Sequence, residues 1–486
     1  MAEIAVTPPS CRMRMAADLY DRLHAHLFPG DRDEHGAVII AGLRRSKHGV
    51  TLIARELILA EEGKDWVPGK RGYRALPATF VARCIRHCRN EVLVYLAVHN
   101  HGGVGHVAFS DVDLETHRRG FPALLDIVGN DLPVGALVFA EGAVAGDIWL
   151  PDRTRLTLTD LVIVGPSRVV LADRPRYEPR TVPGRFDRQV RMFGHEGQTV
   201  LCCAKVAIIG LGGVGSILAE LLGRLGVGHF VLVDNDRVQP TNLPRLIDAT
   251  GWDAMAWLCA DDRPAWMRRL GYRLATRKVD LAARVIRRAN PRTQLSLHFS
   301  RMEDTAVVEA LKHCDYIFLA ADSHRARRLF NAIVHQYLVP GAQLGTRIQS
   351  DPETGDLVNV HSVVRLVTPS SGCLLCNQAV NRTRLRDESI SADMRERQRY
   401  TDEQGVVAPS VITLNALSAG QAANDFLFHM TGLAAPGAYQ GYFQGRPIER
   451  RVRLQQPRRD PACPDCGSGS HSRYGRGDAL GLPMID

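Results

Sequence analysis

Residues 206–215 read VAIIGLGGVG, and this segment sets the architecture of the larger part of the chain. Its four leading apolar residues predict a buried β-strand, and the glycine-rich run predicts a tight turn into a helix. Such a turn lets the backbone approach a phosphate at the amino end of the helix. The next apolar strand, 231–233, ends at Asp234, where a carboxylate can bind a ribose hydroxyl. The pattern predicts a doubly wound α/β domain that binds a nucleotide through the glycines of the turn, namely Gly210, Gly212, Gly213 and Gly215.

Polar residues further along distinguish a nucleotide-activating enzyme from a dehydrogenase. Arg245 and Lys278 supply cations for a triphosphate. Asp322 follows the apolar segment 316–320 and supplies a carboxylate for magnesium. This set suits attack on an α-phosphate, where stabilisation of charge does most of the work, and hydride transfer needs none of it.

Residues 185–480 resemble the ThiF/MoeB and ubiquitin-activating-enzyme superfamily. RFDRQ (185–189) matches its opening R-Y-x-R-Q motif, and DND (234–236) followed by NLPR (242–245) matches its D-x-D…N-L-x-R pattern. The lysine helix that ends in NP (290–291) and the D-x-x-x-x-R-x-x-x-N segment from Asp322 also match. Two features depart from the family pattern: Leu246 replaces the usual glutamine, and the gap from Arg245 to Lys278 is longer. The extra length corresponds to an insertion at 247–275.

The resemblance implies an adenylyltransferase that uses Mg-ATP to adenylate the C-terminal glycine of a small β-grasp protein and releases pyrophosphate. It assigns the ribose to Asp234 and magnesium to Asp322. It assigns the phosphates to three residues, Asn242, Arg245 and Lys278. Arg188 matches an arginine that reaches into the active site of the partner subunit, which implies a homodimer.

The amino-terminal region, 13–164, mixes helices and strands without regular alternation, which predicts an α+β domain. A predicted strand, 92–98, delivers His99 and His101 into a loop, and Asp113 follows at the start of a predicted helix. Two imidazoles and one carboxylate leave an open position for water, as at a catalytic zinc. Glu34 lies just before the predicted strand 37–40 and is a candidate general base.

These residues resemble the JAMM/MPN metalloprotease family, whose pattern is a distant glutamate, then H-x-H, then S-x-x-D. The resemblance implies that His99, His101 and Asp113 bind zinc. It also implies that Glu34 activates water and that Ser110 helps to stabilise the oxyanion. The spacing from His101 to Ser110 is slightly longer than in the family pattern, and the aspartate before Glu34 could compete for its role. The alternative is an MPN scaffold without catalytic activity.

Two C-x-x-C motifs lie far apart in the chain, at 373–376 and 463–466. Four thiolates from two such motifs can close a tetrahedral zinc site, and the ThiF family carries one in matching order. We therefore predict a structural zinc rather than a redox pair. Its ligands are Cys373, Cys376, Cys463 and Cys466.

Many relatives carry a cysteine after the first of these motifs that accepts the activated C-terminus, whereas residues 377–462 contain none. Three interpretations remain open. The reaction stops at the adenylate, a hydroxyl forms an oxyester, or Cys259 in the insertion acts as the acceptor. A hydroxyl is a poor nucleophile without a neighbouring base. The candidate hydroxyls are those of Thr401, Ser389 and Ser391.

The chain has 486 residues, a net charge of +9 and 45% hydrophobic residues. No apolar segment of membrane-spanning length and no secretory signal is visible, so we expect a cytoplasmic protein with reduced thiols. No basic run is long enough for a nucleic-acid arm. The charge is typical of a solvated basic surface, and the functional alternative is an acidic partner protein whose approach it would steer. Four prolines mark 165–184 as a linker. Three of the five tryptophans of the chain lie in the insertion, so we expect this segment to pack against the rest of the protein.

These features together predict a fused enzyme of a bacterial-type ubiquitin-like conjugation system. One domain adenylates the C-terminal glycine of the modifier, and the zinc-dependent peptidase or isopeptidase domain cleaves after that same glycine. A conjugating enzyme is a further candidate partner. The alternative is activation of a sulfur-carrier protein in cofactor or cysteine biosynthesis, and a different class of function is a scaffold with neither activity.

Overall fold

The computed structural model describes residues 10–31, 33–47, 49–61, 64–65, 67–68, 74–129, 131–173, 182–351, 354, 356–389, 409–435 and 441–483. The chain divides into two compact units. The first comprises Met1–Glu178, His335–Leu338 and Pro464–Gly481, and the second comprises Pro179–Val334, Val339–Cys463 and Leu482–Asp486. This division differs from the predicted domain 185–480, because residues 464–481 group with the amino-terminal unit.

The first unit mixes strands and helices, as an α+β domain does. Its strands are β1 (Ser10–Ala16), β2 (Gly36–Ser46), β3 (Gly49–Leu59), β4 (Val67–Pro68), β5 (Arg74–Ala75), β6 (Val94–Asn100), β7 (Val134–Phe139), β8 (Val144–Trp149), β9 (Arg155–Val164) and β10 (Arg168–Leu171). Its helices are α1 (Ala17–Leu27), α2 (Ala78–Glu91) and α3 (Asp111–Val128).

The strands of the first unit close into a ring. Strand β1 pairs in parallel with β3 on one side and with β9 on the other. The order β3-β2-β6-β7-β8-β9 links these two neighbours, and β10 adds to β9 as an antiparallel strand. One apolar cluster of the strands packs with α1, and a second packs with α2 and α3. Helix α1 begins only at Ala17, because the residues before it belong to the ring as strand β1.

The carboxy-terminal segment 464–481 packs on the strands of this same unit. Gly477 forms a parallel bridge with Leu43 of β2. A Cβ on Gly42 would lie 2.2 Å from the carbonyl oxygen of Gly475, so that the two backbones approach more closely than any side chain would allow. The buried guanidinium of Arg55 donates to backbone carbonyls of the segment, those of Gly469, Ser472 and Tyr474.

The second unit begins with α4 (Asp187–Cys203), which is broken at Phe193 and Gly194. Its further helices are α5 (Gly213–Leu225), α6 (Ala265–Leu274), α7 (Lys278–Ala289), α8 (Thr305–Lys312), α9 (His324–Tyr337), α10 (Arg382–Ser389) and α11 (Ile412–Thr431). Its strands are β11 (Lys205–Ile209), β12 (His229–Val233), β13 (Gln294–His298), β14 (Tyr316–Leu319), β15 (Gly341–Ser350), β16 (Leu357–Val367), β17 (Tyr442–Arg446) and β18 (Arg451–Gln455).

These strands form one sheet in the order β13-β12-β11-β14-β15-β16-β17-β18. The first five are parallel, and the last three continue the sheet in antiparallel pairing. The chain runs from β11 to one side and later returns to the other side at β14. This reversal is the topological switch point at which open α/β sheets bind their ligands. The predicted doubly wound fold is confirmed.

The core of the second unit lies where helices cover this sheet. Leu218 and Leu222 of α5, Ile286 of α7 and Phe426 of α11 are all buried in one apolar cluster. Helix α7 begins at Lys278, as the sequence predicts. None of the helices in the described ranges combines the length and apolarity needed to cross a membrane.

The insertion 247–275 forms turns followed by α6, and its tryptophans face solvent. Trp252, Trp257 and Trp266 are 75%, 53% and 66% exposed, so the segment is not held in place by its tryptophans. Smaller side chains hold the segment instead, since Ala254 and Leu258 are buried. The three indoles therefore remain available on an otherwise attached segment.

Candidate nucleotide and metal sites

The carboxyl ends of β11, β12 and β14 share one edge of the sheet, because these strands are parallel. Gly210 follows β11 with φ of +87°, a left-handed conformation that favours glycine. A Cβ on Gly210 would lie 2.7 Å from the amide nitrogen of Ala321, which follows β14. A Cβ on Gly215 would lie 1.9 Å from the Gly210 carbonyl oxygen. The glycines therefore permit a close turn, and α5 begins directly after Gly212 at this edge.

Asp234 is buried at the end of β12 and is held by backbone donors. Its carboxylate accepts hydrogen bonds from the amides of Leu211 at 2.7 Å and Asp236 at 2.8 Å. The Nζ atom of Lys278 lies 4.0 Å from the Asp234 carboxylate and donates to Asp236 at 2.7 Å. Burial raises the pKa of Asp234, although Lys278 and the two amides oppose this effect. The structure thus brings together the residues that the sequence predicts for the ribose and a phosphate.

Asn242 and Arg245 lie on the turn after β12. Asn242 is buried, and its side chain caps this turn by accepting a backbone hydrogen bond of 3.3 Å. The side chain of Arg245 runs beside Gly213, where a Cβ would lie 3.4 Å from its Cδ atom. The same Cβ would lie 2.2 Å from Nδ2 of Asn415, on α11. Asn415 thus borders the amino end of α5, and the sequence analysis missed it because no motif marks it.

Asp322 is exposed, three residues beyond the end of β14. The other polar residues of its motif have structural partners. Arg327 donates to the carbonyl of Ala379 at 3.2 Å, and Oδ1 of Asn331 accepts from the amide of Leu374 at 2.7 Å. The motif therefore ties α9 to the segment around the first cysteine pair and leaves the aspartate available for a ligand.

Glu388 of α10 is a second residue that the sequence analysis missed. Its carboxylate accepts from the amides of His324 at 3.0 Å and Arg325 at 2.9 Å, the first two residues of α9. It therefore caps the helix that follows Asp322. No local signal reveals this capping, because Glu388 is remote in sequence from α9.

Arg188 is exposed on the first turn of α4. Residues beside it anchor this helix. Arg185 donates to the carbonyl of Ala289 at 3.2 Å, and Gln189 donates to that of Arg224 at 3.0 Å. The exposed position is compatible with a role in a second subunit, which stays a prediction.

In the first unit, β6 and the start of α3 bring three metal-binding side chains together. The Nε2 atoms of His99 and His101 lie 3.2 Å apart, and Asp113 Oδ2 lies 3.7 Å from the first and 3.6 Å from the second. Nitrogen and oxygen ligands at about 2.0–2.1 Å from a tetrahedral ion are about 3.3–3.4 Å apart. The three atoms therefore suit one ion, and their partial exposure gives solvent access to a further position.

Ser110 holds Asp113 through a capping box at the amino end of α3. Its hydroxyl donates to the Asp113 carboxylate at 2.7 Å, and its amide donates at 2.9 Å. Burial alone would raise the pKa of Asp113, but hydrogen bonds from His99 and Ser110 hold it well below its usual range. The carboxylate is therefore ionised and oriented, as a metal ligand must be.

Glu34 lies two residues before β2, whose first residue, Gly36, pairs with His99. Asn100 ties this segment to β6, since its Oδ1 accepts from the His35 amide at 2.5 Å and its Nδ2 donates to the backbone just before Glu34 at 3.4 Å. The backbone of Glu34 is thus held next to the strand end that carries the histidines. Asn100, between the two histidines, is a supporting residue that the sequence analysis did not assign.

The four cysteines of the C-x-x-C motifs come together, with all sulfurs within 4.8 Å of one another. Cys373 Sγ lies 3.5 Å from Cys376 Sγ and 3.6 Å from Cys463 Sγ, and Cys466 completes the group. Sulfurs at about 2.3 Å from a tetrahedral ion are about 3.8 Å apart, so this cluster can hold one zinc ion.

Only some of the candidate acceptors for a covalent ester lie in the described part of the chain. Thr401 and Ser391 lie outside the described residues, and Ser389 is described only through its backbone at the end of α10. Cys259 is half-buried under α6, since its sulfur lies 2.7 Å from where a Cβ on Gly271 would be.

Comparisons with known proteins support the assignment of the second unit. Residues 186–466 match the model of the ThiF family. The sulfur carrier protein ThiS adenylyltransferase of Escherichia coli (strain K12) is 26% identical over 290 residues, which cover 59% of this chain and 96% of that protein. The SAMP-activating enzyme E1 of Haloferax volcanii is 29% identical over 151 residues, covering 31% of this chain and 48% of that protein.

The ubiquitin-like modifier-activating enzyme 5 of Gallus gallus is 24% identical over 251 residues, covering 49% of this chain and 53% of that protein. The chain therefore spans about half the length of the last two relatives. A solved structure of E. coli MccB with MccA-N7isoASN is 20% identical, with a TM-score of 0.44 over 61% of this chain and 78% of that one. Because the family model matches more than half of the chain, this protein belongs to the ThiF family.

Proposed function

We propose that the second unit adenylates the C-terminal glycine of a ubiquitin-like or sulfur-carrier β-grasp protein with Mg-ATP. The observation that carries the proposal is the convergence of the glycine turn, Asp234 and Lys278 at the switch point of a ThiF-family sheet. The names of the relatives add support, since they include adenylyltransferases and activating enzymes for proteins of this kind.

In this reaction ATP lies on the glycine turn, with its ribose on Asp234. A carboxylate oxygen of the terminal glycine attacks the α-phosphorus and forms an acyl-phosphate bond. The bond from the α-phosphorus to the bridging oxygen breaks, and pyrophosphate leaves with its electron pair. Arg245 and Lys278 offset the charge that develops on the α-phosphate. Asp322 would hold magnesium, which neutralises further phosphate charge when bound.

Pyrophosphate–ATP exchange tests this activity directly. Purified β-grasp proteins that end in glycine should support exchange, and the same proteins without that glycine should not. Lys278→Gln should lower the exchange rate by about a hundredfold or more, because a preorganised cation is lost. Lys312→Gln is the matched control, since both lysines are 11% exposed and ion-paired. Absence of exchange with all such carriers, from folded protein that is monodisperse, would overturn the proposal.

The sulfur-carrier function is the second candidate, and one observation favours it. The chain covers nearly the whole of the E. coli ThiS adenylyltransferase, whereas it covers about half of the modifier-activating enzyme. The two functions predict different products. A sulfur carrier would proceed from the adenylate to a thiocarboxylate when a sulfur donor is present. A modifier would be transferred to a protein acceptor, for which a conjugating enzyme is the candidate partner.

For the first unit, we propose a zinc-dependent peptidase that cleaves after the same glycine. His99, His101 and Asp113 would hold the zinc, which supplies an activated water when bound. Glu34 would take the proton of that water and pass it to the leaving amine. The Ser110 hydroxyl donates to Asp113 in this structure and would turn from that carboxylate to donate to the oxyanion. The convergence of the three ligand atoms supports this MPN-like assignment.

A carrier extended beyond its terminal glycine tests the peptidase. Intact-mass measurement should show loss of the extension with wild type and none with Glu34→Gln, while pyrophosphate exchange by the matured carrier stays unchanged. Asp33→Asn is the companion variant for the neighbouring carboxylate, and loss of trimming in this variant with retention in Glu34→Gln would assign the base to Asp33 instead. Equal trimming by Glu34→Gln would remove Glu34 from the chemistry, and persistence of trimming in His101→Ala would overturn the metal assignment.

The remaining assignments concern the step after adenylation and the assembly of subunits. We keep three routes, namely release of the adenylate, an oxyester on Thr401, Ser389 or Ser391, and a thioester on Cys259. Intact mass after incubation with carrier and Mg-ATP, with and without reductant, separates them, because only the thioester is removed by thiol. A homodimer in which Arg188 enters the second active site predicts restored activity on mixing Arg188→Ala and Lys278→Gln subunits.

A further inference from the structure

Helix α6 of the insertion carries a row of apolar side chains, the apolar stripe, that lies outside its packed side. Trp266, Leu270 and Leu274 lie at i, i+4 and i+8 of α6, and the two leucines are 42% and 55% exposed. On the helix surface such positions form one continuous row. The packed side of α6 is marked by Gly271, where a Cβ would lie 2.7 Å from the side chain of Leu258. The stripe is therefore an uncovered surface on an attached helix.

This exposure does not come from loose attachment. The carboxylate of Asp253 accepts from the hydroxyls of Thr250 at 2.8 Å and Thr276 at 3.0 Å, and from Arg284 of α7 at 2.9 Å. Ala254 is buried beside these bonds. The insertion thus has its own anchor, and the tryptophans take no part in it. Large exposed aromatic side chains on a fixed element are the usual anchors of protein interfaces.

All charged side chains of α6 are positive. Arg268, Arg269 and Arg273 belong to this helix, which contains no acidic residue. None of the three side chains forms an ion pair within the part of the chain that the structure describes. The acidic residues of the insertion lie outside α6, and two of them, Asp248 and Asp253, are engaged by Arg284.

The geometry of a helix with 3.6 residues per turn places these charges next to the stripe. Arg269 and Arg273 flank the row of Trp266 and Leu270 on one side, and the packed edge at Gly271 flanks it on the other. Around the helix, the stripe therefore lies between the side that packs on the protein and the side that carries Arg269 and Arg273. A helix that lies flat on a membrane needs its apolar row opposite the protein body, so this arrangement favours a protein segment as the occupant.

The position of α6 along the chain links it to the nucleotide edge. The amide of Lys278 donates to the carbonyl of Asp236 at 3.1 Å, and that of Val238 donates to the carbonyl of Thr276 at 2.8 Å. From Leu274 to Lys278 the chain can span at most about 14 Å. An occupant of α6 is therefore held near the residues assigned to ATP.

We propose that α6 is a docking site for an acidic protein segment with apolar side chains along one face. Its apolar side chains would cover Trp266, Leu270 and Leu274, and its carboxylates would pair with Arg269 and Arg273. Such a pairing is complementary to the exposed positive charge and would steer the encounter, while the apolar anchors supply the affinity. The inference stands on the insertion alone and does not rest on the adenylation activity.

Fluorescence anisotropy with the full chain tests it. The probe is a fluorescein-labelled synthetic helix with leucines along one face and glutamates elsewhere. We expect micromolar binding that weakens by about tenfold or more in Arg269→Glu/Arg273→Glu, and in Trp266→Ala/Leu270→Ala. The matched control is Arg451→Glu/Arg453→Glu on exposed β18, which makes the same change in net charge and should leave binding unchanged.

Several outcomes would overturn the proposal. Equal weakening by the β18 variant would mean that overall charge, not α6, attracts the probe. Equal binding of a counterpart probe with lysine in place of glutamate would remove the electrostatic pairing. Absence of binding to the acidic probe would remove the site. Flotation with phosphatidylglycerol vesicles, or dimerisation in light scattering that Trp266→Ala abolishes, would assign the stripe to a membrane or a second copy instead. The melting temperature of each variant verifies that it is folded.

Discussion

Arg476 and Glu91 are joined by a hydrogen bond of 2.5 Å from Nη2 to Oε2, although 385 positions separate them in the chain. Arg476 also donates to the carbonyl of Glu91 at 2.9 Å, at the end of α2. These bonds lie within the first unit and tie its carboxy-terminal segment to its second helix. The amino-terminal region is therefore complete only with residues from the far end of the chain.

Removal of Arg476 should destabilise the first unit. Arg476→Ala leaves the Glu91 carboxylate without its charged donor in a partly buried place, so we expect the free energy of unfolding to fall by about 1–3 kcal/mol. Urea denaturation followed by circular dichroism measures this change. Arg118→Ala is the control, because its ion pair with Glu115 is exposed and should contribute less than about 1 kcal/mol. Equal effects of the two variants would contradict the importance of the long-range pair.

Asp425 on α11 predicts a pH dependence of stability. Burial raises its pKa to about 6, against the hydrogen bond of 2.8 Å that it accepts from Gln421. Because the pKa of Asp425 is raised in the folded state, the protonated side chain contributes to the free energy of unfolding. This contribution is fully present below the unfolded pKa of 3.8 and is lost as pH rises through about 6. In Asp425→Asn the side chain does not ionise, so this pH-dependent loss of stability should disappear.

At about pH 8 Asp425→Asn should melt at a higher temperature than wild type, in line with a gain in the free energy of unfolding on the order of 3 kcal/mol, and the gain should vanish near about pH 4. Thermal melts across this range measure the difference. Asp262→Asn is the control, since its side chain is exposed. A gain that is constant with pH would show that the Asp425 carboxylate is not the titrating group.

Gly215 predicts a strict steric requirement in the nucleotide turn. Its Cβ would lie 1.9 Å from the Gly210 carbonyl oxygen, a backbone atom that cannot move aside without opening the turn. Gly215→Ala should lower stability by about 1–3 kcal/mol and weaken ATP binding. Isothermal titration with ATP and thermal melts measure both effects.

Gly420→Ala is the control for this substitution. Gly420 lies inside α11, and a Cβ there meets nothing within 4 Å. The change should stabilise the helix by about 0.5–1 kcal/mol, because alanine has the higher helix propensity. Tolerance of Gly215→Ala without loss of ATP binding would contradict the close approach at the turn.

The cysteine cluster predicts one tightly held zinc ion. Cys373→Ser should lose one equivalent of zinc and lower the melting temperature, because three thiolates and a hydroxyl bind zinc more weakly. Elemental analysis by mass spectrometry, compared with wild type, measures the loss. Cys203→Ser, at an exposed cysteine outside the cluster, should retain the full zinc content. An unchanged metal content in Cys373→Ser would remove the structural assignment.

Much of the second unit could be predicted from the sequence because its signals are local. The apolar run before Gly210, the glycines and Asp234 each act within one strand and its turn, and parallel strands bring such ends to a common edge. The supporting residues could not be predicted in this way. Asn415 and Glu388 reach the site from distant helices, and their roles depend on the packing of those helices.

The tryptophans of the insertion illustrate the limit of composition as a guide. Apolar residues are expected to be buried, but the space available at the attached face of the insertion determines which of them are buried. Ala254 and Leu258 fill that face, so Trp252 and Trp266 remain exposed. The sequence identifies the residues that could pack, and only the fold selects among them.

The amino-acid sequence alone determined the family of the second unit, its nucleotide turn, and the order of the candidate ligands His99, His101 and Asp113, because the chemistry of these motifs depends on residue type and short spacing. The tertiary structure decided the closure of the strand ring through β1 and β9, and the bond from Arg476 to Glu91. These contacts join residues that are remote in the chain, and the free energy that selects them comes from shared burial, which no local segment contains.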